Sequence, residues 1–239
     1  MAVYRIAGLL AEMTPRHAHL RKYAEKYLYT GDVGDEEVVD IEMSKDKVDN
    51  FFANNGHLSE AECEYMMNGF KFAVRLLSKK GFVLHSSAVA YEGKAYLFSA
   101  NSGTGKSTHT AFWQECFGED KTVIINDDKP AIREVDGVFY ASGTPFSGKS
   151  DLNNNITVPI KAVCFIHRSE KNEIRRLTSG EALECIMNQT IRPPKAENMS
   201  ERLELLDAFL EKVPIYSLGV TYSPDSARFA YEKLNSSAL

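Results

Sequence analysis

No two cysteines in this sequence stand in a C-x-x-C pair: Cys63, Cys116, Cys164 and Cys185 are far apart. That layout argues against zinc ligation, and the expected state is four free thiols in a reducing cytoplasm. No apolar run reaches the roughly 18 residues that mark a membrane-crossing helix. The opening Met1-Ala2-Val3-Tyr4-Arg5 lacks the basic-then-apolar layout of a secretion signal. Basic residues are not in surplus either. Twenty-eight Lys and Arg against 33 Asp and Glu leave a formal net charge of −5, the wrong sign for a nucleic-acid surface. Internal repeats and low-complexity tracts are missing, which removes the solenoid architectures.

What remains has ordinary globular proportions, 44% hydrophobic and 26% charged over 239 residues. The chain is long enough for one sizeable domain, or for a core with a smaller N-terminal part. We divide it as an α+β portion over residues 1–80, packed on the core and shaping an acceptor site, and a core over residues 81–239. Residues 3–10 and 38–43 read as strands. Ser59-Glu60-Ala61-Glu62 is a capping box opening a helix that runs to about Lys79. Two strand-like runs, 86–91 and 94–99, flank Glu92-Gly93, a two-residue hairpin turn. In that register Tyr91 faces Lys94, and His85 falls opposite Ala100. A helix over 107–117 and a strand over 122–125 follow. Asp136-Gly137 marks a second hairpin, between 131–135 and 138–141. Further strands are expected at 163–167, 173–177 and 215–220, and helices at 180–189 and 200–212. A terminal helix is expected with Pro224 at its first position. Strands outnumber crossover helices, so the sheet should be mixed.

The stretch between the first hairpin and the helix after it carries chemistry. Asn101, Ser102, Gly103, Thr104, Gly105, Lys106, Ser107 and Thr108 form a glycine-containing loop between an apolar strand and a helix. A bare G-x-G-K-S match arises by chance in about 1% of chains this long. The strand before and the helix after are what the mechanism requires. Glycines let backbone amides converge on phosphate oxygens, and the helix N-terminus adds positive potential. Lys106 would reach the β- and γ-phosphates, and the Ser107 hydroxyl would ligate magnesium. Where such loops usually begin with glycine this chain has Ala100, which fits if its backbone stays in an ordinary region.

Asp127 and Asp128 end the next apolar strand, 21 residues after Lys106 in the case of Asp127. One acid would ligate magnesium and the other would accept a proton from an attacking hydroxyl. The residues alone do not say which does which. His85 stands near the loop and could bind metal, orient a phosphate or shuttle a proton. The segment 143–150 has small residues and a lysine suited to an anion-binding loop; Ser147 and Lys149 are candidate substrate contacts. Arg133 and Arg168, at predicted strand ends, are candidate phosphate contacts. His109 receives no role.

With a histidine before a hairpin, a Ser-Gly-Thr-Gly-Lys-Ser loop and a following Asp-Asp, the chain resembles the HPr kinase/phosphorylase catalytic domain and the related phosphoenolpyruvate carboxykinase fold. The motif match covers about residues 84–130. The resemblance implies an α/β fold of α+β character, with a mixed sheet and a P-loop kinase core. It also implies Asp127 as base and Asp128 as magnesium ligand. Together these readings predict an ATP- and Mg2+-dependent kinase, with Asp127, Lys106 and His85 at its centre, that phosphorylates a hydroxyl on a small molecule, peptide or protein. Expected partners are a nucleotide and that acceptor, with no nucleic acid or membrane; a homo-oligomer is left open. The rival readings are a nucleotide-sensing module without transfer and carboxykinase-like chemistry on oxaloacetate. A GTP-hydrolysing switch is disfavoured because no Asn-Lys-x-Asp signature is present.

Overall fold

The computed structural model describes residues 2–191 and 197–236. The chain opens with a hairpin, β1 (Ala2–Ile6) and β2 (Leu9–Met13), where the sequence predicted one strand over 3–10. The turn residues Ala7 and Gly8 both have positive φ, 52° and 76°, the turn whose twist suits two-residue hairpins. β3 (Val38–Asp40) adds parallel to β2 and stops short of the predicted residue 43. Two helices that were not predicted follow the small sheet's strands: α1 (Ala18–Ala24) packs Leu20, Tyr23 and Ala24 into its core, and α2 (Lys45–Ala53) sets Val48 against Cys63 in a separate cluster. α3 (Glu60–Leu77) starts at the predicted capping box. Glu62 N–H donates to Ser59 Oγ at 3.2 Å, and Ser59 N–H donates to Glu62 Oε2 at 2.8 Å.

The second sheet is mixed and curled. Its strands are β4 (Gly81–Val83), β5 (Ser86–Tyr91), β6 (Lys94–Ser99), β7 (Val123–Asn126), β8 (Ala131–Val135) and β9 (Val138–Ser142). β10 (Thr157–Arg168), β11 (Glu173–Arg176) and β12 (Ile215–Val220) complete it. β10 is longer than the predicted 163–167. Its first residues pair with β9; after a register shift between Ile160 and Ala162 its last six pair with β12. One strand thereby joins two sections of sheet, which is where it curls.

Along β6 the side chains alternate between faces, as strand geometry demands. Ala95 and Leu97 pack in a core with α5 (Ser179–Asn188) and α6 (Glu197–Lys212). Tyr96 and Phe98 pack opposite, with α4 (Lys106–Phe117) and α7 (Asp225–Asn235). Pro224 sits one residue before α7 rather than at its first position. A third core unites Tyr65 and Phe72 of α3 with Val83, Ala131 and Phe146, so apolar packing is continuous across residue 80.

The topology decides where chemistry can assemble. β6 is antiparallel to β5, and β5 is antiparallel to β7, so β6 and β7 run in one direction. β10 and β12 are parallel to each other and to β6. The carboxyl ends of all four strands therefore meet at one edge of the sheet, the edge at which α/β sheets place their ligands.

Candidate active site

From β6 the chain turns through residues 100–105 into α4. Gly105 caps that helix with φ 116°, a backbone that side-chain-bearing residues avoid. Ala100 is not among the residues with positive φ and so keeps an ordinary backbone. Its carbonyl accepts from Lys106 Nζ at 3.0 Å, and that of Asn101 lies at 3.5 Å. Burial pushes the Lys106 ammonium below its ordinary range, while the charges of Asp128 and Asp127 push it back.

The predicted hairpin register holds: Tyr91 pairs with Lys94, and Ser86 with Ser99. His85 thus lies beside the start of the loop, and Ser99 Oγ donates to its carbonyl at 2.8 Å. Its Nδ1 is 2.8 Å from Gln189 Oε1, and its Nε2 is 3.4 Å from Asp128 Oδ1. Gln189 also donates to Asn101 Oδ1 at 3.1 Å, tying α5 to the loop.

The two acids have different surroundings. Asp127 is buried, and its Oδ1 accepts from Ser87 Oγ at 2.6 Å. Ser87 is itself 2.8 Å from Thr110 Oγ1 of α4. Asp128 is half-buried, with Lys129 Nζ on its Oδ2 at 2.6 Å.

An open cleft of about 640 Å³ brings these groups together: Lys106, Ser107, Thr108, His85, Asp127 and Asp128 all line it. Ser102, Gly103, Gly105, Lys129, Ser147 and Lys149 also line it. Ser147 accepts from Asn153 Nδ2 at 2.9 Å and is fully buried, so its side chain holds the loop rather than projecting from it. Gly148 N–H donates to Tyr65 Oη at 2.8 Å. A side chain at Gly148 would place its Cβ 2.9 Å from that of Asp128, so the absence of one lets this loop close over the acid.

Two predicted phosphate contacts lie elsewhere. Arg133 does not line the cleft. Its Nη1 donates to the Ala7 carbonyl at 2.8 Å and its Nε to that of Lys79 at 3.1 Å, clamping the first hairpin to the large sheet. Arg168 lies against the loop of residues 101–108, its Nη2 donating to the Gly103 carbonyl at 2.9 Å. Asn101 does not line the cleft; its Oδ1 accepts from Gln189. Ser87, Lys129 and Tyr65 belong to the site but were not predicted. The last two carry no motif, and Ser87 depends on pairing between β5 and β7.

His109, left without a role, is buried and neutral. Its Nε2 accepts from Trp113 Nε1 at 3.3 Å, so Nδ1 carries the proton toward Ser226 Oγ at 3.2 Å. Burial pushes this imidazole down to about 3. An unfolded chain binds the proton below about pH 6.5 and the folded chain does not, so stability falls as pH drops from about 6.5 toward 3. Between pH 7 and 5 this one group should remove about 2 kcal/mol. Urea unfolding at both pH values should show His109→Gln losing less stability than wild type. Equal losses would rule the explanation out.

Among the described residues no group of three or more His, Cys, Asp or Glu gathers as a metal cluster. Magnesium needs no such cage, because it binds through one or two protein oxygens together with phosphates and water. The Ser107 hydroxyl and Asp128 carboxylate, hard oxygen donors lining one cleft, fit that demand. Among the described residues no helix is long and apolar enough to cross a membrane.

No curated protein matches the chain. Among solved structures it is similar to the HPr(Ser) kinase/phosphatase from Coxiella burnetii, at 10% identity over 64% of this chain and 99% of that one, with a TM-score of 0.38. The family described as SynChlorMet cassette protein ScmC matches residues 62–225, more than half of the sequence, and the chain belongs to that family.

Proposed function

We propose that the protein is an ATP-dependent kinase that phosphorylates a hydroxyl group. The observation that carries this reading is the shared cleft, in which the phosphate-loop residues Lys106 and Ser107 face the carboxylates of Asp127 and Asp128. A phosphate binder without transfer would need the loop but not a buried acid beside it.

In this reading the triphosphate lies on the amides of residues 102–108, and Lys106 moves from the Ala100 carbonyl onto the phosphates. The acceptor enters from the side of Lys129 and Lys149. Ser87 occupies Asp127 Oδ1, which leaves Oδ2 to take the hydroxyl proton. The acceptor oxygen forms a bond to the γ-phosphorus as the bond from that phosphorus to the bridging oxygen breaks. The electron pair leaves with ADP. Ser107 and Asp128 would hold Mg2+, which when bound neutralises phosphate charge. His85, between Gln189 and Asp128, orients the acid.

The test is transfer of label from γ-labelled ATP to a panel of small-molecule and peptide alcohols. Acceptor-dependent label transfer is expected. ATP binding without any transfer across the panel would instead support a nucleotide sensor. Phosphoenolpyruvate formed from oxaloacetate and ATP would support carboxykinase chemistry.

A further inference from the structure

A second cavity, about 540 Å³, opens on the other side of the phosphate loop. Its size falls within the roughly 300–1,000 Å³ of small-molecule sites. Gly103, Gly105 and Thr108 line both this cavity and the catalytic cleft, so the loop is a wall common to the two. Phe112 follows Thr108 by one helical turn and therefore shares its face of α4. Across from it stands Tyr222, just beyond β12, with its ring centroid 5.5 Å from that of Phe112 at an interplanar angle of 74°. Tyr222 is 87% exposed, far more than any other large hydrophobic side chain described. Arg168, pinned to the loop carbonyls of Gly103 and Thr104, completes the wall.

The geometry points to this cavity as the subsite for the nucleoside end of the triphosphate, with the base stacked on Tyr222 and edge-on to Phe112. The inference rests on the phosphate-loop reading above and deepens it. A triphosphate seated at Lys106 and Ser107 and running back along the loop amides leaves the cleft at Gly103 and Gly105. That is where the second cavity begins. Both cavities lie at the edge where β6, β10 and β12 end, so no strand separates them. An aromatic face bare to solvent is unusual on its own account; next to a phosphate loop it offers the π-surface that a base needs. Stacking tolerates every base, so the subsite recognises a nucleoside without fixing which one.

The test compares Mg2+-ATP with Mg2+-tripolyphosphate, which has the phosphates and no nucleoside, by calorimetric titration of wild type, Tyr222→Ala and Tyr222→Phe. Wild type should bind ATP more tightly than tripolyphosphate. Tyr222→Ala should weaken ATP about tenfold while changing tripolyphosphate by less than about twofold, and Tyr222→Phe should restore ATP affinity. The exposure of Tyr222 makes misfolding an unsuitable explanation for a selective loss. ATP affinity unchanged in Tyr222→Ala, or an equal loss for both ligands, would overturn the subsite. Wild type binding tripolyphosphate as tightly as ATP would overturn the subsite and leave the phosphate loop standing. Binding of neither ligand would overturn the phosphate loop, and the subsite with it.

Discussion

Asp127→Asn should abolish nearly all label transfer, by about 10²- to 10⁴-fold, while leaving ATP affinity within about threefold. The asymmetry follows from what the substitution removes. An amide oxygen still accepts the Ser87 hydrogen bond that Asp127 Oδ1 accepts at 2.6 Å, so the local network survives. The second oxygen becomes an NH2 group, which cannot take a proton from an attacking hydroxyl. The lost rate corresponds to about 3–5 kcal/mol of barrier, a range that a single positioned base supplies. Thermal unfolding of the variant distinguishes chemistry from structure, because loss of transfer without a lower melting temperature isolates the proton transfer. Transfer at the wild-type rate would remove Asp127 as base, and a similar assay of Asp128→Asn would then show whether the neighbouring acid has that role.

How much of this site is legible in the sequence depends on whether a local signal reports the geometry. The hairpin that sets His85 opposite the loop is legible because Glu92-Gly93 separates two strand-like runs by two residues, and both residues have positive φ, 50° and 71°. Asp136-Gly137 is legible more directly, because Asp-Gly is a preferred two-residue turn, at 48° and 79°. The first hairpin uses the same turn at Ala7-Gly8, but alanine in the first turn position does not announce a left-handed backbone, so residues 3–10 read as one strand. The convergence of Lys106 and Asp127 follows from strand ends flanking a loop, and the sequence order carries it. Ser87 does not follow: its reach to Asp127 depends on the pairing of β5 with β7, whose register shifts between Ala88 and Val89. Tyr65 reaches Gly148 across 83 residues of sequence, and no periodicity reports such a contact. Arg133 does not line the cleft, because strand position says nothing about where a long guanidinium chain ends. Here it ends on two carbonyls of the N-terminal part. Phe112 and Tyr222 meet because β10 runs parallel to both β6 and β12, long-range pairings without a local marker.

Phe146→Ala should be the most damaging substitution for stability near the site, costing about 3–5 kcal/mol. The ring is 2% exposed, set edge-on to Tyr65 and tilted against Phe72, with centroids 5.7 Å away in both cases. For a chain of this length the loss translates into roughly 6–20 °C of melting temperature. The core that Phe146 enters also holds Val83 and Ala131 of the large sheet with Tyr4, Ile6 and Leu20 of the N-terminal part. A cavity there weakens both parts together, so unfolding should remain a single transition shifted down rather than splitting in two. The site should feel the change as well. Phe146 directly precedes the loop that supplies Ser147, Gly148 and Lys149 to the cleft, and its neighbour Tyr65 anchors Gly148. At a temperature where the variant is still folded, the acceptor KM should rise more than kcat falls, because Lys106, Ser107 and Asp127 rest on other elements. Phe146→Leu, which restores much of the volume, should recover most of the stability. A melting temperature within about 2 °C of wild type for Phe146→Ala would mean that the ring contributes little packing. Two separate transitions would mean instead that the shared core does not couple the N-terminal part to the large sheet.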